Sequence, residues 1–109
     1  MNYGFIKVAS AVPSVKVADC KYNVEQIEQQ IILAEGQGVE IIVFPELSLT
    51  GYTCQDLFRQ NLLLETTESA MLMLLDFTRQ LNIISIVGLP IAVGDLLLNC
   101  AAIIQKGQI

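Results

Sequence analysis

A chain of 109 residues is long enough for one small domain, and its 6 basic and 11 acidic residues give a formal net charge of −5. It has no cluster of Lys or Arg, which argues against nucleic acid as a partner, because that binding depends on neutralising phosphates. Apolar residues make up 53% of the chain and the mean hydropathy is +0.56. No apolar run reaches the roughly 18 to 20 residues of a membrane-spanning helix. We therefore expect a cytoplasmic protein that binds neither nucleic acid nor a membrane.

The first elements predicted in chain order are two strands that flank a helix. Residues 5–12 alternate in polarity and are rich in Val and Ala, which is typical of a strand, and Pro13 ends it. Residues 39–44 form an apolar run that is long enough only for a strand. A strand, a helix and a strand in this order form a βαβ unit. We expect the two strands to be parallel and joined by a right-handed crossover.

The helix between these strands is predicted to begin at Asn23 and to be amphipathic. Asn23 is a candidate N-cap, because Gln26 follows it at the spacing of a capping box. Gly36 and Gly38 predict the end of the helix. The apolar positions that recur every three or four residues and predict its buried face are Val24, Ile27, Ile31 and Ala34.

A second helix is predicted in the middle of the chain. Thr66 or Thr67 can cap a helix that runs to about Leu81, and residues 55–64 before it predict a short helical turn. The apolar residues of this helix cover more than one face, so we expect it to be buried on most sides. That burial requires a second surface, supplied by further chain or by another subunit.

Two strands complete the predicted elements. Residues 83–89 predict a third strand that stops at Pro90, and residues 96–104 predict a fourth. Gly94 and Asp95 between them favour a tight turn, so this pair is expected to be an antiparallel hairpin. The whole pattern predicts an α/β fold with no internal repeat and no domain boundary.

The sequence Phe44-Pro45-Glu46 places a carboxylate directly after the second strand. Ligands bind at the carboxyl ends of strands in open α/β sheets, and Pro45 gives Glu46 a rigid approach. Apolar neighbours such as Leu47 and Tyr52 disfavour the ionised carboxylate, which favours a general base. A structural role, in which Glu46 caps an amide or pairs with a cation, is an open alternative. The chain has no His, nucleophile elbow or phosphate-binding glycine loop.

Three cysteines occur, at widely spaced positions: Cys20, Cys54 and Cys100. Metal sites favour close pairs of ligands, and disulfide frameworks favour an even number of cysteines in a secreted chain. We therefore expect reduced, mostly buried thiols and no metal site in this segment. Cys54 is the cysteine nearest in sequence to the suspected chemistry at Glu46.

Residues 43–52, with the sequence Val-Phe-Pro-Glu-Leu-Ser-Leu-Thr-Gly-Tyr, resemble the first signature of the carbon–nitrogen hydrolase (nitrilase) superfamily. Asn23 and residues 99–101, Asn-Cys-Ala, also fit the pattern of that family. The resemblance covers essentially the whole chain. It implies an αββα sandwich, of which residues 1–109 are the N-terminal part.

The resemblance also implies the roles of particular residues. It makes Glu46 the general base of a Glu-Lys-Cys triad, and it places Tyr52 in the lining of the substrate pocket. The lysine and the nucleophilic cysteine of the triad are expected after Ile109. Lys106 and Cys100 therefore do not take those roles.

Residues 3–9 and 51–58 look more narrowly like the glutaminase domain of bacterial glutamine-dependent NAD synthetases. This implies glutamine as the substrate, no cofactor in this segment, and ATP and Mg²⁺ in a separate synthetase domain. The implied partners are the remainder of the polypeptide and further subunits of a homo-oligomer. Two alternatives stay open: a free-standing amidase of the same superfamily, which needs no ATP, and a catalytically silent fragment that associates through its surplus apolar surface.

Overall fold

The computed structural model describes residues 6–16, 19–45, 48–49, 61–94 and 96–109. The predicted α/β class is confirmed. A short 3₁₀ turn at Thr78–Gln80 follows the second helix. In chain order, the main elements are β1 (Val8–Ser10), α1 (Cys20–Gly36), β2 (Ile41–Val43), α2 (Asn61–Phe77), β3 (Ile84–Val93) and β4 (Leu96–Ile104).

The four strands form one sheet in the order β1-β2-β3-β4. β1 is parallel to β2 and β2 is parallel to β3, with Ile42 of β2 aligned between Ala9 and Ser85. β4 runs antiparallel to β3, from Ser85 opposite Ile104 to Val93 opposite Leu96. The parallel βαβ unit and the antiparallel hairpin are thus confirmed.

The paired lengths of the strands differ from the sequence prediction in three of four cases. β1 and β2 are three residues each, because the pairing between them covers only Val8–Ser10 and Ile41–Val43. β4 has the predicted bounds. The predicted stop of β3 at Pro90 is wrong, since the strand continues to Val93.

Pro90 is accommodated because of the direction in which its nitrogen points. It pairs in register with Asn99 of β4. Backbone groups alternate in direction along a strand, and those of Ile86 and Gly88 face the β2 side of β3. The nitrogen of Pro90 faces that same side, beyond the end of β2, so no β3–β4 hydrogen bond is lost.

The predicted N-cap at Asn23 is wrong. α1 begins at Cys20, and the Oδ1 atom of Asp19 accepts a hydrogen bond of 3.1 Å from the amide of Tyr22. Asp19 therefore satisfies one of the free amides of the first turn. Asn23 lies inside the helix with no exposed surface, and its side chain bonds to other parts of the chain.

The predicted apolar row of α1 and its end are confirmed. The helix ends at Gly36, and Gly38 has a φ of +77°, a left-handed conformation that suits glycine. The four predicted positions are all buried: Val24, Ile27, Ile31 and Ala34.

The predicted start of α2 at Thr66 or Thr67 is wrong, because the helix already begins at Asn61. Thr67 is only 2% exposed, and its Oγ1 lies 3.5 Å from the Sγ of Cys20 on α1. It therefore occupies a packing position and not a helix end. Residues 61–64 belong to α2 and not to a separate turn, and residues 55–60 lie outside the described part.

The helices cover one face of the sheet, and the core lies between these two layers. Ile42 of β2, Val87 of β3 and Ile104 of β4 are each at most 1% exposed and face the helices. Leu74 of α2 is wholly buried with them. However, Leu72 is 66% exposed, so α2 is not buried on most sides within this chain.

The other face of the sheet, here called the open face, is apolar and uncovered by any described residue. Side chains alternate between the two faces of a strand, so the register assigns its members. Val8 and Ile103 are 59% and 58% exposed. The apolar members of the open face are Val8, Ile41, Val43, Ile84, Ile86 and Ile103, and the register also places Ser10 on it. Within the described ranges, neither helix combines the length and apolar character needed to cross a membrane.

Candidate active site

A cleft of about 350 Å³ opens at the carboxyl end of β2. It lies where the chain leaves the sheet through Phe44 and Pro45, and Phe44 is only 5% exposed. None of the lining side chains is charged. They come from three strands and the exit of β2: Val43, Phe44, Pro45, Ile86, Val87, Gly88, Asn99, Cys100 and Ala101.

The chain is fastened to β3 on both sides of residues 46 and 47. Before them, the amide of Phe44 donates to the carbonyl of Ile86 at 2.9 Å. After them, the amide of Leu49 donates to the carbonyl of Gly88 at 3.1 Å, and the Oγ of Ser48 accepts from the amide of Gly88 at 3.2 Å. Ser48 and Leu49 are at most 2% exposed. This part of the chain thus stays hydrogen-bonded to β3 beyond the end of β2.

Asn23 connects the same segment to α1. Its Nδ2 group donates to the carbonyl of Leu49 and to the carbonyl of Lys16, each at 2.8 Å. Its Oδ1 atom accepts from the amide of Lys16 at 2.7 Å. A fully buried amide side chain therefore holds the chain before α1 and the chain after β2 together.

The predicted catalytic residue Glu46 and the predicted pocket residue Tyr52 lie outside the described residues, as does Cys54. Their roles stay predictions. The structure does bring two of the sequence segments singled out above to one cleft. The residues before Glu46 meet Asn99 and Cys100 of β4 there.

The structure places Lys106 and Cys100 differently. Cys100 is half-buried and lines the cleft. Lys106 lies in the turn after β4, and β4 ends beside the first residues of β3, at the opposite end of the sheet. Lys106 does not line the cleft.

Sequence reasoning missed the anchoring functions of Asn23 and Ser48. A signal for Asn23 was present, because it lies four and eight residues before Ile27 and Ile31 and so shares their buried row. A polar residue in such a row needs buried hydrogen-bond partners. No comparable pattern marks Ser48, whose partner Gly88 is 40 residues away in the chain.

The fold and the site agree with the class of protein that a family comparison defines. The family model of the carbon-nitrogen hydrolases matches residues 7–109. The chain therefore belongs to the carbon–nitrogen hydrolase family. Val43, Phe44 and Pro45, the first residues of the segment that carries the resemblance noted above, line its cleft.

Individual proteins that are similar to this chain give more specific information than the family model does. The glutamine-dependent NAD(+) synthetase of Mycobacterium leprae is 30% identical over 108 residues, which are 99% of this chain and 16% of that protein. The structure of the glutamine-dependent NAD+ synthetase of Acinetobacter baumannii in complex with ADP superposes with a TM-score of 0.87 at 28% identity, covering 95% of this chain and 19% of that one. An amidase from Nesterenkonia sp. has a TM-score of 0.81 at 20% identity, covering 94% of this chain and 40% of that one, and shows a likeness of fold.

Proposed function

We propose that the chain is the N-terminal part of the glutaminase domain of a glutamine-dependent NAD synthetase. In this proposal the whole protein hydrolyses glutamine and uses the ammonia for the ATP-dependent amidation of nicotinic acid adenine dinucleotide to NAD. Family membership and similarity to a protein of that name over 99% of the chain support it. Because the chain spans only 16% of that relative, the proposal assigns the rest of the machinery to a longer polypeptide.

The observation that carries the proposal is the uncharged cleft at the carboxyl end of β2. Glu46 follows Pro45, which lines this cleft. In this proposal the carboxylate of Glu46 acts at this cleft, where the lining offers it no cationic side chain to pair with, so it is free to accept a proton. Glu46 is therefore assigned the role of general base, and Tyr52 the role of a pocket residue.

The proposed reaction has two halves. Glu46 takes the proton of a cysteine thiol supplied by the rest of the polypeptide, and the thiolate attacks the side-chain amide carbon of glutamine. A lysine, also from the rest of the polypeptide, stabilises the oxyanion, and the C–N bond breaks as Glu46 returns the proton to the leaving ammonia. Water then gives a proton to Glu46 and attacks the thioester, which releases glutamate and restores the thiol.

ATP and Mg²⁺ belong, in this proposal, to the synthetase part. The described residues of this chain do not fit a metal site, because no group of three or more His, Cys, Asp or Glu side chains lies close enough together among them. The chain's own partners are then glutamine, the remainder of the polypeptide and the other subunits of a homo-oligomer.

The proposal predicts that Glu46→Gln, made in the longer polypeptide, abolishes NAD synthesis from glutamine and spares synthesis from free ammonium. A glutamine side chain cannot accept the proton, whereas ammonium bypasses the glutaminase step. Steady-state rates with each nitrogen source measure both activities. The glutamine-driven rate should fall by about 100- to 10,000-fold, the usual contribution of a general acid or base.

Glu40→Gln is the matched control, because Glu40 directly precedes β2 at the end remote from the cleft. It should leave both rates unchanged. Equal loss of both rates in Glu46→Gln would make Glu46 structural and contradict the proposal. Ammonia release from glutamine without any ATP-dependent product would instead favour a free-standing amidase, and no activity of either kind would favour a catalytically silent chain.

A further inference from the structure

The side chain of Asn23 makes three hydrogen bonds, and none of them is to a residue of α1. Both hydrogens of its Nδ2 group and one lone pair of its Oδ1 are used, and all the acceptors and donors belong to backbone outside the helix. The side chain has no exposed surface. Because its partners are main-chain atoms of Lys16 and Leu49, their side-chain types do not affect these bonds. Asn23 therefore fixes the path of two connections, before α1 and after β2.

The connection after β2 is held at two further points. Ser48 and Leu49 bond to Gly88 on β3, and Phe44 bonds to Ile86 on the same strand. Only residues 46 and 47 separate Pro45 from Ser48. Pro45 and Ser48 are three residue steps apart, which span at most about 11 Å of extended chain, so the anchors on both sides restrict the connection between them.

We propose that Asn23 is a positioning residue for Glu46. It sets the place of the proton acceptor by holding Leu49 against α1 while β3 holds Ser48 and Phe44. This inference rests on the proposed function, in which Glu46 is the general base. A catalytic group must be held to within a fraction of an ångström, and a displacement of about 1 Å can reduce the rate about 100-fold.

Two substitutions of Asn23 distinguish a positioning role from a contribution to stability alone. Asn23→Ala removes all three hydrogen bonds. Asn23→Asp keeps the shape and the acceptor for the Lys16 amide but removes both donors, and places a carboxylate against two carbonyl oxygens. Burial raises the pKa of such a carboxyl, so it gains a proton on mild acidification and then donates one hydrogen bond.

Thr78→Ala is the matched control. Thr78 is also fully buried and polar, and its Oγ1 donates to the carbonyl of Leu75 at 3.1 Å and accepts from the amide of Gly107 at 3.3 Å. It lies after α2, at the end of the sheet remote from the cleft. The control thus removes buried hydrogen bonds without touching the segment that holds residue 46.

The experiment uses the longer polypeptide and compares glutamine-driven with ammonium-driven synthesis between about pH 5.5 and 8.5, the range in which a carboxyl with a raised pKa titrates. Asn23→Ala should lower kcat with glutamine about 10- to 100-fold, with KM for glutamine changed less than about twofold and the ammonium rate retained. Asn23→Asp should show the same loss at high pH and regain activity relative to wild type as the pH falls, whereas Asn23→Ala should not. Thr78→Ala should leave the ratio of the two rates unchanged.

Amide hydrogen exchange of residues 44–49 gives a readout that does not depend on the reaction. Exchange there should be faster in Asn23→Ala than in wild type or Thr78→Ala. A ratio of rates that does not change in Asn23→Ala, or exchange that is the same as in the control, overturns the positioning role. Wild-type protein without glutamine-driven synthesis overturns the proposed function itself, while the exchange result still decides whether Asn23 holds this segment.

Discussion

Glu28 of α1 shows how partial burial changes an ionisable side chain. It lines a shallow depression together with Ile32, Leu33 and Phe77. Burial raises the pKa of its carboxyl above the ordinary 4.5, and the charge of Glu25 raises it further. The folded chain therefore binds this proton more tightly than the unfolded chain does, and stability contributed by the neutral carboxyl is lost as the pH rises above 4.5 through the folded pKa.

Glu28→Gln is accordingly expected to raise the melting temperature at neutral pH, because the amide carries no charge to desolvate. The gain should disappear below about pH 4, where the carboxyl is protonated in the folded and the unfolded chain. Calorimetric scans of both proteins from about pH 3.5, below the unfolded pKa, to about pH 7.5 measure the difference. Glu65→Gln, at an exposed position of α2, is the control, and a gain of the same size and pH dependence there would contradict the role of burial.

Among the elements, the turn after β4 depends most on a single residue. Gln105 and Gln108 pair across it through two backbone hydrogen bonds of 2.9 and 3.0 Å. Gly107 has a φ of +79°, and a Cβ atom placed on it would lie 2.8 Å from the Cγ of Arg79 and 3.1 Å from the carbonyl oxygen of Leu75. This position therefore combines a left-handed backbone with a close approach to the end of α2.

Gly107→Ala is predicted to destabilise the protein more than Gly38→Ala does. Gly38 has a similar φ of +77° but no atom within 4 Å of a Cβ, so its substitution costs only the left-handed conformation, about 1 to 2 kcal/mol. At Gly107 the clash adds to this, because the backbone of Leu75 cannot move aside easily. Urea titration of the two variants measures the difference, and equal midpoints would refute the close approach.

The elements also show what the sequence can predict. The row of Ile27 and Ile31 and the bounds of β4 follow from periodicity alone, which depends on local spacing. The predicted helix starts were wrong because each helix offers several polar residues that could cap it. Only packing decides which residue is a cap, as Asp19 is, and which is buried, as Thr67 is. The predicted end of β3 at Pro90 was wrong because a proline is compatible with a strand when its nitrogen faces an unpaired side.

For the candidate site, too, local patterns were predictable from the sequence and long-range contacts were not. Pro45 and the apolar run before it correctly indicated that the chain leaves the sheet there, beside a cleft. The contacts that hold this exit involve residues 26 to 40 positions apart, as in the pairs Asn23–Leu49 and Ser48–Gly88. No local pattern encodes a pairing of that separation, so only the folded chain could reveal these contacts.

At the scale of the whole molecule, the open face is the dominant feature. Its branched apolar side chains form a continuous surface across all four strands, while the helices cover only the opposite face. Large exposed apolar surfaces mark interaction sites. In a sandwich of the carbon–nitrogen hydrolase type, a second sheet packs on such a face.

Ile103→Lys tests this arrangement, because Ile103 lies on the open face and is 58% exposed. In the isolated 109-residue chain the lysine should reduce self-association, seen by sedimentation velocity. In the longer polypeptide it should lower stability, by about 2 kcal/mol or more, since it buries a charge between two layers. Ile32→Lys, on the outside of α1, should change the stability of the longer polypeptide less. A longer polypeptide that tolerates both lysines equally would show that nothing packs on this face.

The fastening of residues 48 and 49 to β3 also dictates an order of events during biosynthesis. A ribosome releases the chain from its N-terminus, so α1 and Asn23 emerge before the Phe-Pro segment, but Gly88 emerges 40 residues after Ser48. The first anchor can thus form while translation continues, and the second must wait for β3. Ser48 is therefore bonded to Gly88 only after 40 further residues, more than a third of the 109, have followed it.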